Sequence, residues 1–361
     1  MKKQLLLLLL ALLLGCAGCA NSTPNAAPSS DSQGTREVVD AMDNHVTVPE
    51  DIARIAVTPL PWSSVIYAID GSSSRLVAIH PGAMSACKGH FLETLDPAYA
   101  DLDTSPIGKD FSVNVEELAN RQTQALVLWD HQSDVAEQVK SLGITPVMVK
   151  NETLEDLQKS FTAIGQLLGK EDRAKAFNDL YQDVYDELKA KEKDLAQVEK
   201  PRVLYLRDKT LKIQGTDMFI QTALSLAGAQ NIAEGQKSLT MEEILKKDPE
   251  IIFLSQFDDF TPEDLYENRL DGQDWSQVSA VKNKRVYKTP LGIYRWDAPG
   301  VETPLMMCWL AEHIQPEVFP DIDTRERTQD FFKTYFNRTL SKEDLSMIFA
   351  EDANAKSLPP Q

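Results

Sequence analysis

Short apolar runs alternate with amphipathic segments along most of the chain. Runs of four or five apolar residues predict buried strands, whereas apolar residues spaced three and four apart predict helices. Before residue 170, strands are predicted at 55–58, 76–79, 125–129 and 146–149, with helices at 62–69, 115–120 and 135–142. After residue 200, strands are predicted at 202–206, 251–255 and 286–289, with helices at 218–227 and 303–314. Strands that alternate with helices are typical of a parallel sheet covered on both faces, so the pattern predicts two α/β lobes.

The segment 171–200 separates the two predicted lobes and has the pattern of one long helix. No glycine or proline interrupts it before Pro201, and at about 1.5 Å per residue it would extend about 40–45 Å. Its apolar face consists of Ala174, Phe177, Leu180, Tyr181, Val184, Tyr185 and Leu188. Beyond Leu188 the apolar residues thin out among charges. We interpret the helix as a rod joining two lobes; the alternative is an ordinary surface helix of a single domain.

These patterns predict a domain order. A first lobe covers residues 36–168, a linker helix 169–200, a second lobe 201–340 and a C-terminal tail 341–361. A chain of 361 residues is consistent with about two domains. The net charge of −18 argues against a nucleic-acid partner, because phosphate binding needs a basic face.

The first residues have the pattern of a targeting segment. Lys2 and Lys3 precede an apolar run, 5–14, that is too short to span a bilayer and ends at Gly15 and Cys16. This end resembles the lipobox of bacterial lipoproteins, which implies a signal peptide at 1–15 and a lipid on Cys16; the alternative is a plain secretory signal. The polar stretch 16–35 is predicted to be a disordered tether that holds the protein outside the cytoplasm on the cell membrane.

Two cysteines lie beyond the targeting segment and the predicted tether. Cys87 and Cys308 fall one in each predicted lobe, and we expect two unpaired thiols.

The segments 114–118, NVEEL, and 240–244, TMEEI, each begin with a helix-capping residue, carry acids in the first turn and lead to a buried strand. Either copy alone is explained by helix capping, whereas two copies at equivalent places suggest a second role.

Several stretches between residues 36 and 340 together resemble a known family. They are REVVDAMDNHVTVPEDIARIAV, NVEEL, LGKEDRA, GTDMFIQTALSLAGAQNIAE, TMEEILKKDPEIIFL, WSQVSAVKNKRVYKTP and YRWDAPGVETPLMMCWLAEHIQPEVFPDID. In order and spacing they are similar to the class III substrate-binding proteins of ABC importers for ferric siderophores, haem and vitamin B12. The resemblance implies two Rossmann-like lobes with parallel-rich sheets, one linking helix, a ligand cleft between the lobes and no enzymatic activity. The turn at Asp43 and Asn44 departs from the glycine of many relatives, but Asn tolerates the same left-handed backbone.

The resemblance also implies partners. In that family a glutamate on each lobe docks into arginine pockets of a dimeric ABC permease, which works with an ATPase. By position these are Glu116 and Glu242, with Glu117 and Glu243 as the neighbours that could be confused with them. A monomeric binding protein is implied, with no covalent cofactor apart from the lipid on Cys16.

Candidate ligand residues follow from the rule that ligands bind at the carboxyl ends of parallel strands. They are Trp62, Ser63, Lys109, Trp129 and His131 on the first lobe, and Arg207, Tyr294, Arg295 and Trp296 on the second. Aromatic faces beside cations suit a bulky, oxygen-rich, anionic chelate. For Trp62 and Trp129 a place in the core is the alternative, whereas Tyr294, Arg295 and Trp296 are expected to be exposed.

The ligand itself is predicted as an iron complex, such as a ferric siderophore or haem, or a related chelate such as cobalamin. A molybdate or tungstate oxyanion is the closest alternative, because some relatives bind one. A bare divalent metal is disfavoured, since His313 is the only histidine in the second lobe and a transition-metal site would need ligands from both. A chelatase-like enzyme is the alternative from another class, but no phosphate loop, HExxH motif or nucleophile elbow is present.

Overall fold

The computed structural model describes residues 34–214 and 218–359. The predicted signal peptide, most of the tether and Cys16 therefore lie outside the described residues. The described chain begins with a hairpin of β1 (Thr35–Val39) and β2 (His45–Pro49). Asp43, in the turn between them, has a positive φ of 59°, the left-handed backbone expected at this turn.

The first lobe is built on a four-stranded parallel sheet with the strand order β4-β3-β5-β6. Its strands are β3 (Ile55–Val57), β4 (Leu76–Ile79), β5 (Ala125–Trp129) and β6 (Thr145–Val149). Its helices are α1 (Trp62–Asp70), α2 (Pro81–Cys87), α3 (Phe91–Leu95), α4 (Val115–Asn120), α5 (Ser133–Ser141) and α6 (Leu154–Leu168). The strand cores are fully buried, as continuous apolar runs require in a sheet covered on both faces.

The second lobe repeats this plan with a parallel sheet of order β10-β9-β7-β8. Its strands are β7 (Arg202–Leu206), β8 (Gln230–Asn231), β9 (Ile251–Leu254) and β10 (Val286–Lys288). Helices α7 (Glu171–Ala190) and α8 (Glu192–Leu195) come before β7 in the chain, and α9 (Met218–Leu226) lies between β7 and β8. The others are α10 (Met241–Lys247), α11 (Pro262–Tyr266), α12 (Ser279–Lys282), α13 (Thr303–Ile314), α14 (Thr324–Phe336), α15 (Lys342–Ile348) and α16 (Glu351–Asn354). The prediction of two parallel α/β lobes is confirmed.

The linking helix is shorter than predicted. α7 ends at Ala190, and the short α8 follows rather than a continuation to residue 200. The break lets Leu195 turn inward, where it is buried close to the backbone of Gly228. The predicted apolar face is correct, since Ala174, Phe177 and Tyr181 are buried along α7, but the helix is packed over its whole length, against α6, α9 and α13.

The segment predicted as a C-terminal tail belongs to the fold, which corrects that prediction. α14 packs on the first lobe and on α7: Phe332 contacts Phe91 edge-on at 5.0 Å, and Phe336 stacks on Tyr67 at 6.0 Å between ring centroids. The chain then returns to the second lobe, where the Asn354 side chain accepts the backbone N–H of Lys288 at 2.7 Å and donates to its carbonyl at 3.0 Å. The lobes are thus joined by α7 and also by this returning segment.

Candidate functional site

The cleft face of the second lobe is formed where its strands end. Arg207 follows β7, Phe257 lies three residues beyond β9, and Arg295 lies in the loop after β10. Phe257 lies close to both guanidinium groups, with Arg207 at 4.0 Å and Arg295 at 4.8 Å from the ring centroid. Two cations near one aromatic ring give this part of the face a positive charge.

Arg295 reaches across the cleft to the first lobe. Its Nη1 donates to the Gly82 carbonyl at 3.1 Å and its Nη2 to Ser85 Oγ at 3.1 Å, both on α2. Within the second lobe, Nε donates to the Gln256 carbonyl at 2.8 Å, and Nη1 also donates to Tyr294 Oη at 3.0 Å. The guanidinium group therefore connects the two lobes through neutral oxygen atoms.

Arg207 is also held by a neutral group. Its Nη1 donates to Gln214 Oε1 at 2.7 Å, and Gln214 Nε2 donates to the Asp297 carbonyl at 2.6 Å. Within the described residues, neither Arg207 nor Arg295 lies within salt-bridge distance of a carboxylate. Both guanidinium groups can thus accept an anionic partner.

Two ionisable side chains, Asp297 and Lys288, are buried behind the cleft face of the second lobe. Burial raises the pKa of Asp297, whose carboxylate accepts a hydrogen bond from Ser255 Oγ. Lys288 donates to three backbone carbonyls, those of Ser255 at 2.7 Å, Asp258 at 2.6 Å and Phe260 at 3.0 Å, and burial lowers its pKa to about 8. These bonds fix the loop that carries Phe257.

The cleft face of the first lobe is a chain of polar and aromatic contacts. His80 caps α2 by accepting the Gly82 N–H at 2.9 Å, and its ring stacks on Phe111 with centroids 4.5 Å apart. Gln132 donates to the Phe111 carbonyl at 3.3 Å and accepts from Thr58 Oγ1 at 2.7 Å. Since burial lowers the pKa of His80, this face carries a neutral imidazole at neutral pH.

Some of the predicted first-lobe residues lie in the core instead. The Trp62 ring is fully buried edge-on to Phe161, with centroids 5.9 Å apart. Ser63 is fully buried too, and its hydroxyl accepts a hydrogen bond from Tyr99 Oη at 2.6 Å. Both residues lie on α1, in which every residue from Trp62 to Ile69 is buried. The structure therefore favours the core alternative for Trp62.

The other first-lobe candidates stay accessible. Lys109 and His131 are exposed, and Trp129 is partly buried, with its ring stacked on His131 at 6.3 Å between centroids. Lys109 lies two residues before Phe111, which contacts His80. These side chains remain candidates for ligand contact.

The Tyr294–Trp296 cluster is buried, which corrects the expectation that it is exposed. Tyr294, Arg295 and Trp296 are only 4%, 8% and 1% exposed. Trp296 packs edge-on against Phe349, with centroids 5.6 Å apart, so the C-terminal segment covers it. Tyr294 packs with Ala86, Ala298, Leu60 and Phe257 in a small apolar cluster to which both lobes contribute.

Several residues of this site escaped the sequence prediction. They are Gly82 and Ser85 on α2, Gln256 and Phe257 after β9, and Gln214 after β7. Phe257 could have been found, because it follows a predicted strand at its carboxyl end. Gly82 and Ser85 could not, since α2 is too short to show a helical period.

A cavity of about 780 Å³ opens beside Arg295. Its lining includes Ser85, His90, Gln256 and Phe257 together with the cations Lys288 and Arg295. It also includes the acidic residues Asp258, Asp259, Glu343, Glu351 and Asp352. The volume lies within the range of small-molecule sites, and the two cations supply groups that attract an anion.

The two candidate docking acids differ from their neighbours. Asn114 caps α4 by accepting the Glu117 N–H at 3.1 Å, and Thr240 forms a capping box with Glu243, as the sequence predicted. Glu117 also pairs with Arg121 at 2.6 Å. Glu116 and Glu242 are exposed, as is Glu243, and neither Glu116 nor Glu242 makes an ion pair within the described part of the chain.

Two further findings concern metals, thiols and membranes. Residues 34–214 and 218–359 contain no group of three or more histidine, cysteine or acidic side chains arranged to hold a metal ion, and Cys87 and Cys308 are free and buried. Across the same residues, no helix combines the length and apolarity needed to cross a bilayer.

Comparison with known proteins decides the family. Residues 88–291 match the model of the periplasmic binding protein family. This chain belongs to the periplasmic binding protein family. A periplasmic solute binding protein from Veillonella parvula DSM 2008 has a crystal structure that superimposes with a TM-score of 0.84 at 38% identity, covering 89% of this chain and 99% of its own. The family consists of transport substrate-binding proteins rather than enzymes.

Two curated relatives of this binding protein differ in their named ligands. The molybdate-binding protein MolA of Haemophilus influenzae is 25% identical over 340 residues, covering 86% of this chain and 93% of its own length. The iron-uptake system-binding protein of Bacillus subtilis is 24% identical over 304 residues, covering 79% and 90%. Both relatives therefore match nearly their whole length.

Proposed function

We propose that this binding protein captures an anionic, oxygen-rich metal complex, a ferric chelate, outside the cytoplasm and delivers it to an ABC permease. The observation that supports the ligand class is the arrangement of Arg207 and Arg295 around Phe257, with no carboxylate at salt-bridge distance in the described residues. Guanidinium groups recognise carboxylate oxygens bidentately, and an aromatic face adds contact to a bulky complex. The iron-uptake relative from Bacillus subtilis supports the metal.

The cavity favours a chelate over a small ion. Its volume of about 780 Å³ is far larger than a tetrahedral oxyanion needs. Its lining combines carboxyl side chains such as Glu343 and Asp352 with the Arg295 guanidinium, so the anionic groups of a ligand would lie beside Arg295. A chelate with oxygen ligands at one end and neutral or donor groups at the other meets both conditions.

Molybdate is the second candidate. MolA, whose named ligand is molybdate, matches 93% of its own length to this chain. The cavity lining also offers the N–H donors of the Arg295 guanidinium, which is the chemistry that an oxyanion requires.

Isothermal titration of the purified protein separates these ligands. Ferric citrate, haem, molybdate and sulfate are each titrated at neutral pH. Saturable one-to-one binding of ferric citrate or haem, with no heat from molybdate, is expected. Binding of molybdate alone would replace the chelate with the oxyanion. No binding of any of the four would remove the anionic-ligand proposal, and native mass spectrometry of protein from its own host would then identify the cargo.

Membrane attachment and docking complete the proposal. A lipid on Cys16 would hold the protein at the membrane surface, and the tether up to the first strand would give it reach. Glu116 and Glu242, each exposed near a helix start, are suited to permease arginines, because a carboxylate on a fixed helix end is positioned rigidly.

A further inference from the structure

Glu302 is a buried carboxyl group beside the arginine loop, the turn from Gly292 to Trp296 that carries Arg295. It precedes α13 and is only 4% exposed. Its side chain turns back from the helix, and Oε2 accepts the backbone N–H of Tyr294 at 3.1 Å. A buried carboxylate costs stability unless strong donors satisfy it, so its place calls for an explanation.

The turn that carries Arg295 is built around this carboxyl group. Gly292 lies so close that a Cβ atom there would overlap Glu302 Oε1. The Trp296 indole nitrogen faces the same pocket: it and Glu302 Oε1 are both buried without a hydrogen bond of normal geometry in the described residues. The turn from Gly292 to Trp296 thus wraps a single acid.

Within residues 34–214 and 218–359, no charged side chain is among the groups that shift the pKa of Glu302. Burial raises its pKa to about 7, while the N–H groups of Tyr294 and Ile293 and the Trp296 indole lower it. The other groups packed here are Tyr294, whose phenol is neutral at this pH, and the apolar side of the C-terminal segment at Ile348 and Phe349. Arg295 points away, toward α2.

We propose that Glu302 is the positioning residue of the ligand site: its carboxylate holds the Gly292–Trp296 turn and thereby aims the Arg295 guanidinium across the cleft. The contact runs from Glu302 to the Tyr294 N–H, and from Tyr294 Oη to Arg295 Nη1 at 3.0 Å. Glu302 never touches the ligand. This inference rests on the proposed function, because it gives Arg295 its task.

Binding tests the inference through Glu302→Gln, with Glu312→Gln as the matched control. Glu312 is a partly buried glutamate on α13, and its partner is Thr324 rather than the turn that carries Arg295. With ferric citrate and molybdate as probes, Glu302→Gln is expected to weaken binding at least tenfold at pH 8, whereas the control binds like wild type. Wild-type affinity should fall as pH drops from 8 to 5.5 and the carboxylate takes up a proton, and the Glu302→Gln profile should be flat.

Hydrogen exchange of residues 290–302 provides a readout that needs no ligand. In wild type, exchange relative to its intrinsic rate should rise as pH falls through about 7, and in Glu302→Gln it should be high at every pH. If Glu302→Gln fails to fold, Gly292→Ala tests the same contact by crowding the carboxylate. Equal affinity, pH profile and exchange in variant and wild type would overturn the inference. Probes that do not bind wild type would refute the proposed ligand, and the exchange result would still decide the role of Glu302.

Discussion

Arg295 ties the two lobes through hydrogen bonds to neutral acceptors and makes no salt bridge within the described residues, while the buried Asp297 carboxyl group interacts with its charge from a greater distance. Its bonds to Gly82, Ser85, Gln256 and Tyr294 fix the position of the guanidinium but do not neutralise it. A preorganised cation loses little side-chain entropy when an anion arrives, so more of the interaction energy contributes to affinity. The residue is thus suited both to holding the cleft and to binding in it.

Arg295→Ala should weaken binding of the anionic ligand by about 1.5–3 kcal/mol, the range for losing a charged hydrogen bond. Titration calorimetry measures the change. Arg269→Ala is the control, because Arg269 lies on the surface of the same lobe and pairs with Glu263 and Glu267. Unchanged affinity together with a large loss of melting temperature would show that Arg295 serves only the lobe interface.

The sequence predicted the position of the loop that carries Tyr294 and Arg295 but not the residues that cover it. Tyr294 and Arg295 could be predicted because they follow a strand, where ligand loops of α/β proteins lie. The burial of the neighbouring Trp296 could not, since Phe349, which covers it, is distant in sequence and the contact depends on the path of the C-terminal segment. For Trp62 the sequence left cleft and core both open, because a strand end faces the cleft whereas the first turn of the next helix faces the core.

Helix α14 strengthens the connection that α7 makes between the two lobes. It lies against α7, and Arg327 on α14 makes two bonds of 2.7 Å to the Glu187 carboxylate on α7. Phe177 on α7 stacks on Tyr335 of α14 at 4.6 Å between centroids. The linker is therefore braced by aromatic contacts and by a bidentate ion pair.

Glu187→Gln should destabilise the protein by about 0.5–1 kcal/mol at pH 7, because the pair is partly solvated and screened. The hydrogen bond from Arg327 lowers the pKa of Glu187. An acid with a lowered pKa contributes stability above its unfolded-state value of about 4.3, and that contribution is lost as pH falls through the folded value. Urea unfolding should thus show a difference at pH 7 that closes toward pH 3, and a pH-independent difference would exclude the ion pair as its source.

Among the elements, the sequence predicted strands best and short helices worst. β4 appears as an unbroken apolar run, and β7 as such a run after Arg202, because their strands are almost entirely buried, and both have the predicted bounds. α2 and α3 have seven and five residues, too few for a helical period to stand out. The end of α7 at Ala190 was missed because Leu195 is held by a tertiary contact with the second lobe, which no local pattern encodes.

At the scale of the whole molecule, Glu116 and Glu242 form a pair, one on each lobe. Glu116 begins the helix before β5, and Glu242 begins the helix before β9, so the two occupy equivalent places in the repeated plan. Their neighbours Glu117 and Glu243 are engaged in capping and ion pairing. The neighbours therefore stabilise the helices, while Glu116 and Glu242 remain available.

Glu116→Ala with Glu242→Ala should abolish uptake by cells while ligand affinity stays normal, because charged contacts to the permease are lost on both lobes. Each single change should reduce uptake less. Uptake of radiolabelled ligand is the measurement, and Glu117→Ala with Glu243→Ala controls for lost surface charge and weaker caps. Normal uptake by the double variant would mean that the paired acids only begin helices.

Opening and closing of the lobes should be small. A packed helix resists the φ/ψ changes that a loop hinge absorbs, and the return of α14 to the first lobe adds a second restraint. Small-angle scattering profiles with and without ligand should nearly superimpose. A marked drop in radius of gyration on binding would contradict this restraint.

The contact of Asn354 with Lys288 has a consequence for solubility. β10 is an edge strand, and an open edge offers unpaired N–H and C=O groups on which a strand of another molecule can assemble. The Asn354 side chain occupies both groups of Lys288, as a neighbouring strand would. The last helix thus protects the sheet from edge-to-edge aggregation, so a chain shortened before α16 would expose a template for intermolecular β-sheet.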